Sequence, residues 1–559
     1  MEAKNSQFVV KMLPSLTDFA FLMPIFFLFG RMNGLKTLLS DCDTGWHIRT
    51  GEWILAHHGV PTHDIFSYSK PDGAWYAWEW LTDIIWAFLN NHGGLATVAT
   101  VGMLLIAFTF TLLFRLVRRN SNALVAIVVT MSAAVASSVH WLARPHLFTL
   151  VFLVLFYGAL ENVRHGKTRF RGIPYLVILP FATILWTNLH GGFFVGIVMI
   201  GTYGMGEALK LIFAPDLGDQ RKIVMRTAEK YILCAFACLA GSLVNPYTWH
   251  LHQHVVEYLS DPYQSQHIME FLSVSFHHPL AIFFEGMLLL SALAAFSAAS
   301  KGSFTEPLLL LMWGHAALLS TRNIPIFMII AAPQAAAVIE LWLQRLPELQ
   351  VAAWLRRAGV KFNQVAASMT ETDTIGRWHP ISMAGALGVI ALLYAPHPPE
   401  KFRPEFDPKS FPVAAVQKMH LDPSQRIFTF DQWGDYLIYR LYPQTKVFMD
   451  GRSDYYGSAF NQKYLDVITL NYGWESTLSR FGVDTVLMPP GSPLAGALKE
   501  SARWRVVYDD GIAVVFRSSA KGAGKPNSII SGDGTSRDRE ITKIEASDRR
   551  ITDNKKTKT

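Results

Sequence analysis

Long segments with almost no charged residues recur along the first 396 residues of the chain. Most are about 17–23 residues long, enough for an α-helix to cross the ~30 Å hydrocarbon core of a bilayer. Charged residues make up only 17% of the 559-residue chain, whereas a soluble protein has about a quarter. We therefore predict an α-helical polytopic membrane protein with about 11 transmembrane helices. The predicted spans lie near residues 14–32, 94–114, 122–141, 146–162, 173–188, 193–213, 231–248, 279–299, 306–320, 324–342 and 380–396.

One further apolar stretch, residues 80–91, is short for a membrane span and contains Asp83. It is predicted to be an interfacial or re-entrant helix. No cleavable signal peptide is predicted, because the first apolar run begins near Pro14 and no small-residue cleavage pattern follows it.

The lysine and arginine residues of the short loops fall on one side of the membrane if the predicted spans alternate. Cytoplasmic loops carry such an excess. The N-terminus is therefore predicted to be cytoplasmic, and the loop 33–93 and everything after 397 to be periplasmic or extracellular, in a bacterial inner (plasma) membrane. The net charge of +7 reflects this bias and indicates no nucleic-acid partner. The basic residues are Arg115, Arg118, Arg119, Arg164, Lys167, Arg169, Arg171, Lys210, Arg221, Lys222, Arg226, Lys230, Arg345, Arg356, Arg357 and Lys361.

The character of the chain changes after the last predicted span. Residues 1–396 are predicted to form a transmembrane domain, and 397–410, rich in proline and charge, a linker. In 411–517, short β-branched segments alternate with helix-like stretches, which predicts a C-terminal extracytoplasmic α/β domain. The polar segment 518–559 is predicted to be disordered. The predicted strands are 426–430, 446–449, 485–488, 506–508 and 512–516, and the predicted helices are 411–419, 432–441, 458–469 and 474–481.

The most specific polar motif, Asp41-Cys42-Asp43-Thr44-Gly45-Trp46-His47, follows the first predicted span. Two carboxylates at i and i+2 can hold one divalent cation, Mg²⁺ or Mn²⁺, or divide between cation binding and general-base catalysis. His47 adds a second type of metal ligand beside Asp43. The alternative is that Asp41 and Asp43 only cap the helix that begins near Thr44.

Further polar residues lie at predicted outer ends of other spans. Arg144 and His146 flank Pro145, and Arg322 precedes Asn323. A guanidinium group at this level can grip a phosphate with two parallel hydrogen bonds, although it could also reach lipid headgroups. Other polar residues on the same side are expected to line the site, with helix-end packing as the alternative. They are Glu79, Asn188, His190, Asn245 and His250.

The layout of residues 1–516 resembles the GT-C glycosyltransferases, which have a large first outer loop with an Asp-x-Asp near the end of the first span. The resemblance implies a polyprenyl-phosphate-linked sugar as donor and an acidic residue of the loop acting in transfer. Other stretches look like loosely characterised bacterial members of that superfamily. They are Trp141-Leu142-Ala143-Arg144-Pro145-His146, Trp186-Thr187-Asn188-Leu189-His190-Gly191-Gly192 and Ser320-Thr321-Arg322-Asn323-Ile324-Pro325.

Two polar segments of the predicted outer domain are candidates for acceptor binding. Asp431-Gln432-Trp433-Gly434-Asp435-Tyr436 resembles the Trp-Trp-Asp-Tyr-Gly motif of the oligosaccharyltransferase catalytic subunit, which there binds the acceptor sequon. The order of residues differs here, so a peptide acceptor does not follow. The second segment is a polar turn at a predicted strand end, where α/β domains place ligands, although it could be a turn alone. Its candidates are Asp450, Arg452 and Asp454.

The sequence thus predicts a membrane glycosyltransferase in which Asp41 or Asp43 acts on the acceptor and Arg144 and Arg322 stabilise the departing lipid phosphate. The expected partners are the lipid-linked sugar donor and membrane lipids, and the acceptor can be a glycan, a lipid or a protein. A transporter or flippase is the first alternative. The polar residues gather at one surface and no inverted repeat is visible, which argues against it. The second alternative is a non-catalytic, glycolipid-binding assembly protein.

Overall fold

The structure, a computed structural model, describes residues 10–213, 218–373, 377–419 and 422–519. The predicted disordered tail therefore lies almost entirely outside the described residues. The helices of the membrane part, with those of its loops, are Leu16–Gly30, Leu35–Leu38, Asp43–His57, Trp80–Val117, Ala123–Ser137, His146–Arg164, Tyr175–Leu189, Phe193–Phe213, Gln220–Gly241, Trp249–Ser260, Pro262–His267, Ala281–Ala299, Thr305–Leu319, Ile324–Arg345, Ala353–Asp373 and Pro380–Leu393.

A helix overlaps every predicted span. Among the described residues, 7 helices are long and apolar enough to cross a membrane; counted with their flanking turns, they include Val10–Gly30 and Thr321–Glu348. Shorter apolar helices lie at Tyr175–Leu189, Thr305–Leu319 and Pro380–Leu393. The chain is therefore mostly helical with several membrane-spanning helices, and the total number of spans stays a prediction.

The short predicted helix at 80–91 is the first part of the helix Trp80–Val117. Gly93 and Gly94 interrupt this helix with non-helical backbone angles. Gly94 has φ +65°, a left-handed conformation that glycine adopts without steric cost. The two glycines therefore join a short segment to a long apolar one at a kink.

The helix Asp43–His57 is held between two others by close backbone contacts. A Cβ atom at Gly51 would collide with the carbonyl group of Asp83, and one at Gly45 would lie 2.8 Å from the Cβ atom of Tyr439. Because both glycines lack side chains, the helix packs directly on Trp80–Val117 on one side and on the helix Asp431–Leu441 on the other. This packing places the Asp41–His47 motif between the membrane helices and the C-terminal part.

The C-terminal part contains a four-stranded sheet. We number its strands after the short hairpin β1 (Arg169–Phe170) and β2 (Ile173–Pro174). The strand order is β3-β4-β6-β5; β3 and β4 are parallel, and β4 and β6 are antiparallel. The strands are β3 (Ile427–Thr429), β4 (Thr485–Met488), β5 (Trp504–Asp509) and β6 (Val514–Ser518), and the helices are Val413–Lys418, Asp431–Leu441, Ser453–Tyr456, Ser458–Ile468, Trp474–Arg480 and Pro493–Glu500.

These elements agree with the predicted ones except at 446–449. Within the described range 422–519, this segment forms no strand of the sheet; Val447 makes only isolated bridges, to Ile427 and Ser67. The Val447 N–H donates to Phe66 O at 3.0 Å, and the Tyr68 N–H donates to Val447 O at 3.0 Å. The segment therefore pairs with the first outer loop, a partner that local sequence cannot reveal. The helices Ser453–Tyr456 and Pro493–Glu500 were not predicted.

Residues 1–517 form one compact unit. The Trp433 indole N–H donates to Ser410 O at 2.9 Å, which ties the helix Asp431–Leu441 to the predicted linker. The division of this unit into a transmembrane and an extracytoplasmic domain stays a prediction.

Candidate active site

Arg144 lies at the centre of the polar residues. Its guanidinium group contacts Asp41 Oδ2 at 2.9 Å, Asp43 Oδ2 at 2.7 Å and Glu270 Oε2 at 3.4 Å. The turn between the helices Ala123–Ser137 and His146–Arg164 carries the arginine, and the N-terminal end of the helix Asp43–His57 carries the aspartates. The positive charge is therefore shared among carboxylates from separate parts of the chain.

Glu270 joins Arg144 to the second arginine of the site. Arg322 Nη1 lies 3.4 Å from Glu270 Oε1, and its guanidinium carbon lies 4.5 Å from the centre of the Phe271 ring. Burial would raise the pKa of Glu270, but the guanidinium groups of Arg322 and Arg144 outweigh it and hold the pKa at about 2. Glu270 is thus an anion that fixes the spacing of the two cations.

A second group of side chains surrounds Glu79. His47 Nε2 lies 3.5 Å from Glu79 Oε2, His190 Nε2 lies 3.3 Å from Glu79 Oε1, and His47 Nδ1 lies 2.6 Å from Asp83 Oδ1. Burial raises the pKa of Glu79 to about 8 against the opposing effect of Arg144. Burial lowers the pKa of His190 to about 3, and Arg322 adds to the shift. At neutral pH, Glu79 is a proton donor next to a neutral imidazole.

Asp435 of the C-terminal part approaches Asp43 from the opposite side. A Cβ atom at Gly451 would collide with both Asp43 Oδ1 and Asp435 Oδ2, so the two carboxylates point to one spot beside this glycine. Asp435 Oδ1 accepts the Gly451 N–H at 2.9 Å, and Oδ2 is buried without a hydrogen-bond partner among the described residues. Burial raises the pKa of Asp435, and Asp43 and Asp450 raise it further.

The side chains of the polar centre are partly exposed. The side chains of Arg144 and Arg322 are 20% and 25% exposed, and those of Asp43 and Glu79 are 13% and 11% exposed. Each is thus mostly buried but keeps some exposed surface. Such partial exposure of converging charged groups is typical of a ligand site.

Several predicted site residues instead bond to neighbouring groups of the fold. The amide groups of Asn188, Asn245 and Asn323 donate to backbone carbonyl groups at helix ends. His146 Nε2 lies 2.9 Å from His140 O, and His250 is exposed with its ring against Trp249. The structure therefore favours the packing alternative for these residues.

In the Asp431–Tyr436 motif, too, one side chain reaches the charged centre and the others bond or pack within the fold. The Asp431 N–H donates to the Tyr464 hydroxyl at 2.9 Å, and the Trp433 indole N–H donates to Ser410 O. Tyr436 is buried against Phe406 and Phe411. Asp435 is the member of the motif that reaches Asp43, so the motif contributes to the charged centre and the other side chains pack around it.

The segment Asp450–Asp454, the second candidate for acceptor binding, also makes contacts within the fold. Arg452 Nη2 lies 2.7 Å from both Asp450 Oδ2 and Asp64 Oδ1, and these side chains are almost completely buried. Asp454 Oδ2 lies 3.0 Å from His254 Nε2. The segment thus joins the C-terminal part to the first outer loop and to the helix Trp249–Ser260.

The expected metal pair of Asp43 and His47 does not form. Asp43 turns to Arg144, whereas His47 turns to Asp83 and Glu79. Among the described residues, no group of three or more His, Cys, Asp or Glu side chains is arranged to hold a metal ion.

No sequence motif marks Glu270, Asp64 or His254 as a site residue. Glu270 lies between apolar neighbours in Ile268-Met269-Glu270-Phe271-Leu272, and an isolated acid in such a run is the one available signal. Asp64 and His254 lie in polar outer segments, where acids and histidines are ordinary.

Comparison with known proteins shows the fold. No protein-family model and no curated protein matches the chain. The structure is similar to the archaeal oligosaccharyltransferase AglB from Archaeoglobus fulgidus in complex with an inhibitory peptide and a dolichol-phosphate, with a TM-score of 0.52 and 11% identity over 87% of this chain and 70% of that chain. This likeness confirms the GT-C fold that the sequence suggested.

Two further structures are more distant. A crystal structure of the Archaeoglobus fulgidus oligosaccharyltransferase, a complex with Zn and sulfate, gives a TM-score of 0.48 and 12% identity over 85% of this chain and 67% of that chain. ArnT from Cupriavidus metallidurans bound to undecaprenyl phosphate gives a TM-score of 0.40 and 12% identity over 88% of this chain and 97% of that chain.

Proposed function

We propose that this protein is a membrane glycosyltransferase that transfers a sugar from a polyprenyl-phosphate-linked donor to an extracytoplasmic acceptor. The observation that carries the proposal is the cluster of Arg144, Arg322, Glu270 and Asp43, partly exposed and charged. Such a site offers two cations for a phosphate and a carboxylate for a proton, and transfer from a lipid phosphate requires both. The GT-C fold supports the proposal.

Asp43 is the proposed general base. Burial raises the pKa of Asp43 above the ordinary carboxyl range, although Arg144 opposes the shift, and a raised pKa makes the carboxylate a stronger base. Asp41 is proposed to position it: Asp41 Oδ1 accepts the Asp43 N–H at 3.0 Å, while Oδ2 accepts from Arg144. The sequence left the choice between the two aspartates open, and these contacts favour Asp43.

The two arginines are proposed to stabilise the phosphate that leaves with the lipid. Negative charge grows on this phosphate as the bond to the sugar breaks, and fixed cations lower the energy of that state. Glu270 and the Phe271 ring hold Arg322 in place, so little reorganisation is needed when the charge develops.

We expect Arg322→Lys to lower the transfer rate roughly tenfold or more, because lysine keeps the charge but loses the planar, two-pronged contact with phosphate. The rate is measured as turnover of a short-chain polyprenyl-phosphate sugar by purified protein in detergent. Arg169→Lys, in an exposed hairpin, is the matched control and should behave as wild type. A wild-type rate for Arg322→Lys would assign Arg322 to lipid anchoring.

A divalent cation such as Mg²⁺ or Mn²⁺ fits best between Asp43 and Asp435. The unpartnered Oδ2 of Asp435 is buried and lies with Asp43 Oδ1 beside Gly451. Asp43 raises the pKa of Asp435, an effect that a cation would reverse. Such an ion would supply Lewis-acid stabilisation of negative charge. We propose that these two residues, with oxygen atoms of substrate or water, are its ligands.

Chelation is therefore expected to lower the transfer rate about tenfold or more, with recovery on adding Mn²⁺ or Mg²⁺. Asp435→Asn should lower the rate likewise and lose the response to added metal. The measurement is the same turnover assay with and without EDTA, and Asp466→Asn, half-buried in the helix Ser458–Ile468, is the control. Full activity in EDTA would contradict the cation proposal and leave the two carboxylates to share a proton.

The site is proposed to face the periplasm or exterior, as the lysine and arginine distribution predicts. This can be tested with single added cysteines, because Cys42, Cys234 and Cys238 are all buried. We expect Tyr472→Cys, which is fully exposed, to react with a membrane-impermeant maleimide on intact spheroplasts. Arg357→Cys, exposed in the helix Ala353–Asp373, should react only after permeabilisation. The reverse pattern would overturn the predicted orientation.

A further inference from the structure

A group of aromatic side chains lies beside Arg322 and is not used in the proposed chemistry. We call it the aromatic wall. It combines Tyr76 and Trp78 of the first outer loop with His254 and Tyr258 of the helix Trp249–Ser260, which are four residues apart and so share one helix face. The ring centres lie 4.7 Å apart for Tyr76 and His254, 5.0 Å for Trp78 and His254, and 5.5 Å for Trp78 and Tyr258.

The wall adjoins both parts of the charged site, the arginine cluster and the group around Glu79. At one end, the Tyr258 hydroxyl lies 3.5 Å from Arg322 Nη1. At the other end, Trp78 directly precedes Glu79, and its ring lies against Gly191 in the turn that carries His190. A group attached to a phosphate at Arg322 would therefore meet the wall before it reached Glu79.

Two features distinguish the wall from ordinary core packing. Its rings are half-buried, whereas the large aromatic residues of the core, such as Trp86 and Trp186, are fully buried. Polar groups also lie at its surface: Asp454 Oδ2 contacts His254 Nε2 at 3.0 Å. Burial would raise the pKa of Asp454, but the hydrogen bond from His254 and the positive charge of Arg452 together lower it, so Asp454 is an anion.

Flat apolar faces next to a carboxylate and an imidazole match the chemistry of a sugar ring. A pyranose has C–H faces that pack on aromatic rings, and hydroxyl groups at its edge that donate to a carboxylate. We infer that the aromatic wall is the subsite for the sugar ring of the substrate, with Trp78 and Tyr258 as its platform and the His254–Asp454 pair contacting the hydroxyl groups. The inference rests on the proposed function, since it places the sugar beside the phosphate held by Arg322.

The test compares the binding of a lipid phosphate with and without a sugar. The probes are farnesyl phosphate and a panel of farnesyl-phosphate sugars carrying glucose, mannose, galactose, N-acetylglucosamine or arabinose. Binding is measured by calorimetry on the full chain carrying Asp43→Asn, which slows turnover, and without an acceptor. Trp78→Leu keeps an apolar side chain but removes the flat face, and Trp354→Leu, at a well exposed tryptophan in the helix Ala353–Asp373, is the matched control.

We expect at least one sugar lipid to bind more tightly than farnesyl phosphate, and Trp78→Leu to weaken that binding about tenfold. The affinity for farnesyl phosphate should change less than about twofold, and Trp78→Phe should retain most of the sugar affinity. Tyr258→Leu should repeat the result and replaces Trp78→Leu if that variant does not fold.

Equal losses for farnesyl phosphate and the sugar lipid would mean that the wall binds the prenyl chain, which overturns the inference. Unchanged affinities, or no sugar lipid that binds more tightly than farnesyl phosphate, would also overturn it. These outcomes leave the proposed function standing. If the protein bound neither kind of lipid, the proposed function itself would fail, and the inference with it.

Discussion

Asp43→Asn is expected to lower sugar transfer by roughly 10²-fold or more, because it removes the charge of the proposed base. The amide keeps the side-chain volume and can still accept a hydrogen bond from Arg144, so the fold should be retained. The rate is measured with purified protein and a lipid-linked sugar, and the unfolding temperature is compared with that of the wild type.

Asp41→Asn is the matched control for this variant. Its side-chain oxygen can still accept the Asp43 N–H, so the start of the helix Asp43–His57 should be preserved. We expect a smaller loss of rate than for Asp43→Asn. An unimpaired Asp41→Asn, Asp43→Asn double variant would end the enzyme proposal in favour of a non-catalytic, glycolipid-binding role.

Arg452→Ala is expected to lower the free energy of unfolding by about 3–5 kcal/mol. The side chain is 1% exposed and lies between Asp450 and Asp64, which are 0% exposed, so its removal would leave two buried carboxylates without a cation. Its guanidinium carbon also lies 4.4 Å from the centre of the Trp75 ring, a contact that alanine would lose. Unfolding is followed by denaturant titration in detergent.

The control for Arg452→Ala is Arg503→Ala. Arg503 forms an ion pair with Glu475 while 72% exposed, and such surface pairs add little stability. A similar, small effect for both variants would mean that the ion pairs of Arg452 with Asp450 and Asp64 do not hold the C-terminal part to the first outer loop.

The helices were the most predictable part of the fold. A run of about 20 apolar residues has few alternatives to a membrane helix, since every backbone polar group must be satisfied within the segment. The segment 446–449 shows the opposite case. Its β-branched and aromatic residues suggest a strand of the sheet, but it pairs with Phe66 and Tyr68, nearly 400 residues away in sequence. Tertiary contacts of this kind are invisible to local patterns.

The sequence predicted that residues of the candidate site lie close together, but it did not reveal their distances. Asp43, Arg144, Arg322, Glu79 and His190 were expected near one surface. The structure links Asp43, Arg144 and Arg322 in ion pairs through Glu270, and it places His190 Nε2 3.3 Å from Glu79 Oε1. The asparagines were expected there for the same reason, yet they bond to the backbone at helix ends, because a sequence does not reveal which way a side chain turns. Glu270 was missed because no motif surrounds it.

The most direct test of the proposed function is the release of free polyprenyl phosphate from lipid-linked sugars. Purified protein in proteoliposomes is given radiolabelled polyprenyl-phosphate sugars and, as acceptor, an envelope fraction from cells that lack the protein. We predict that labelled sugar moves to an envelope component and that free polyprenyl phosphate forms roughly 10²-fold faster than with the Asp43→Asn variant. Equal rates for wild type and Asp43→Asn, with the lipid-linked sugars intact, would contradict the assignment of this protein as a glycosyltransferase.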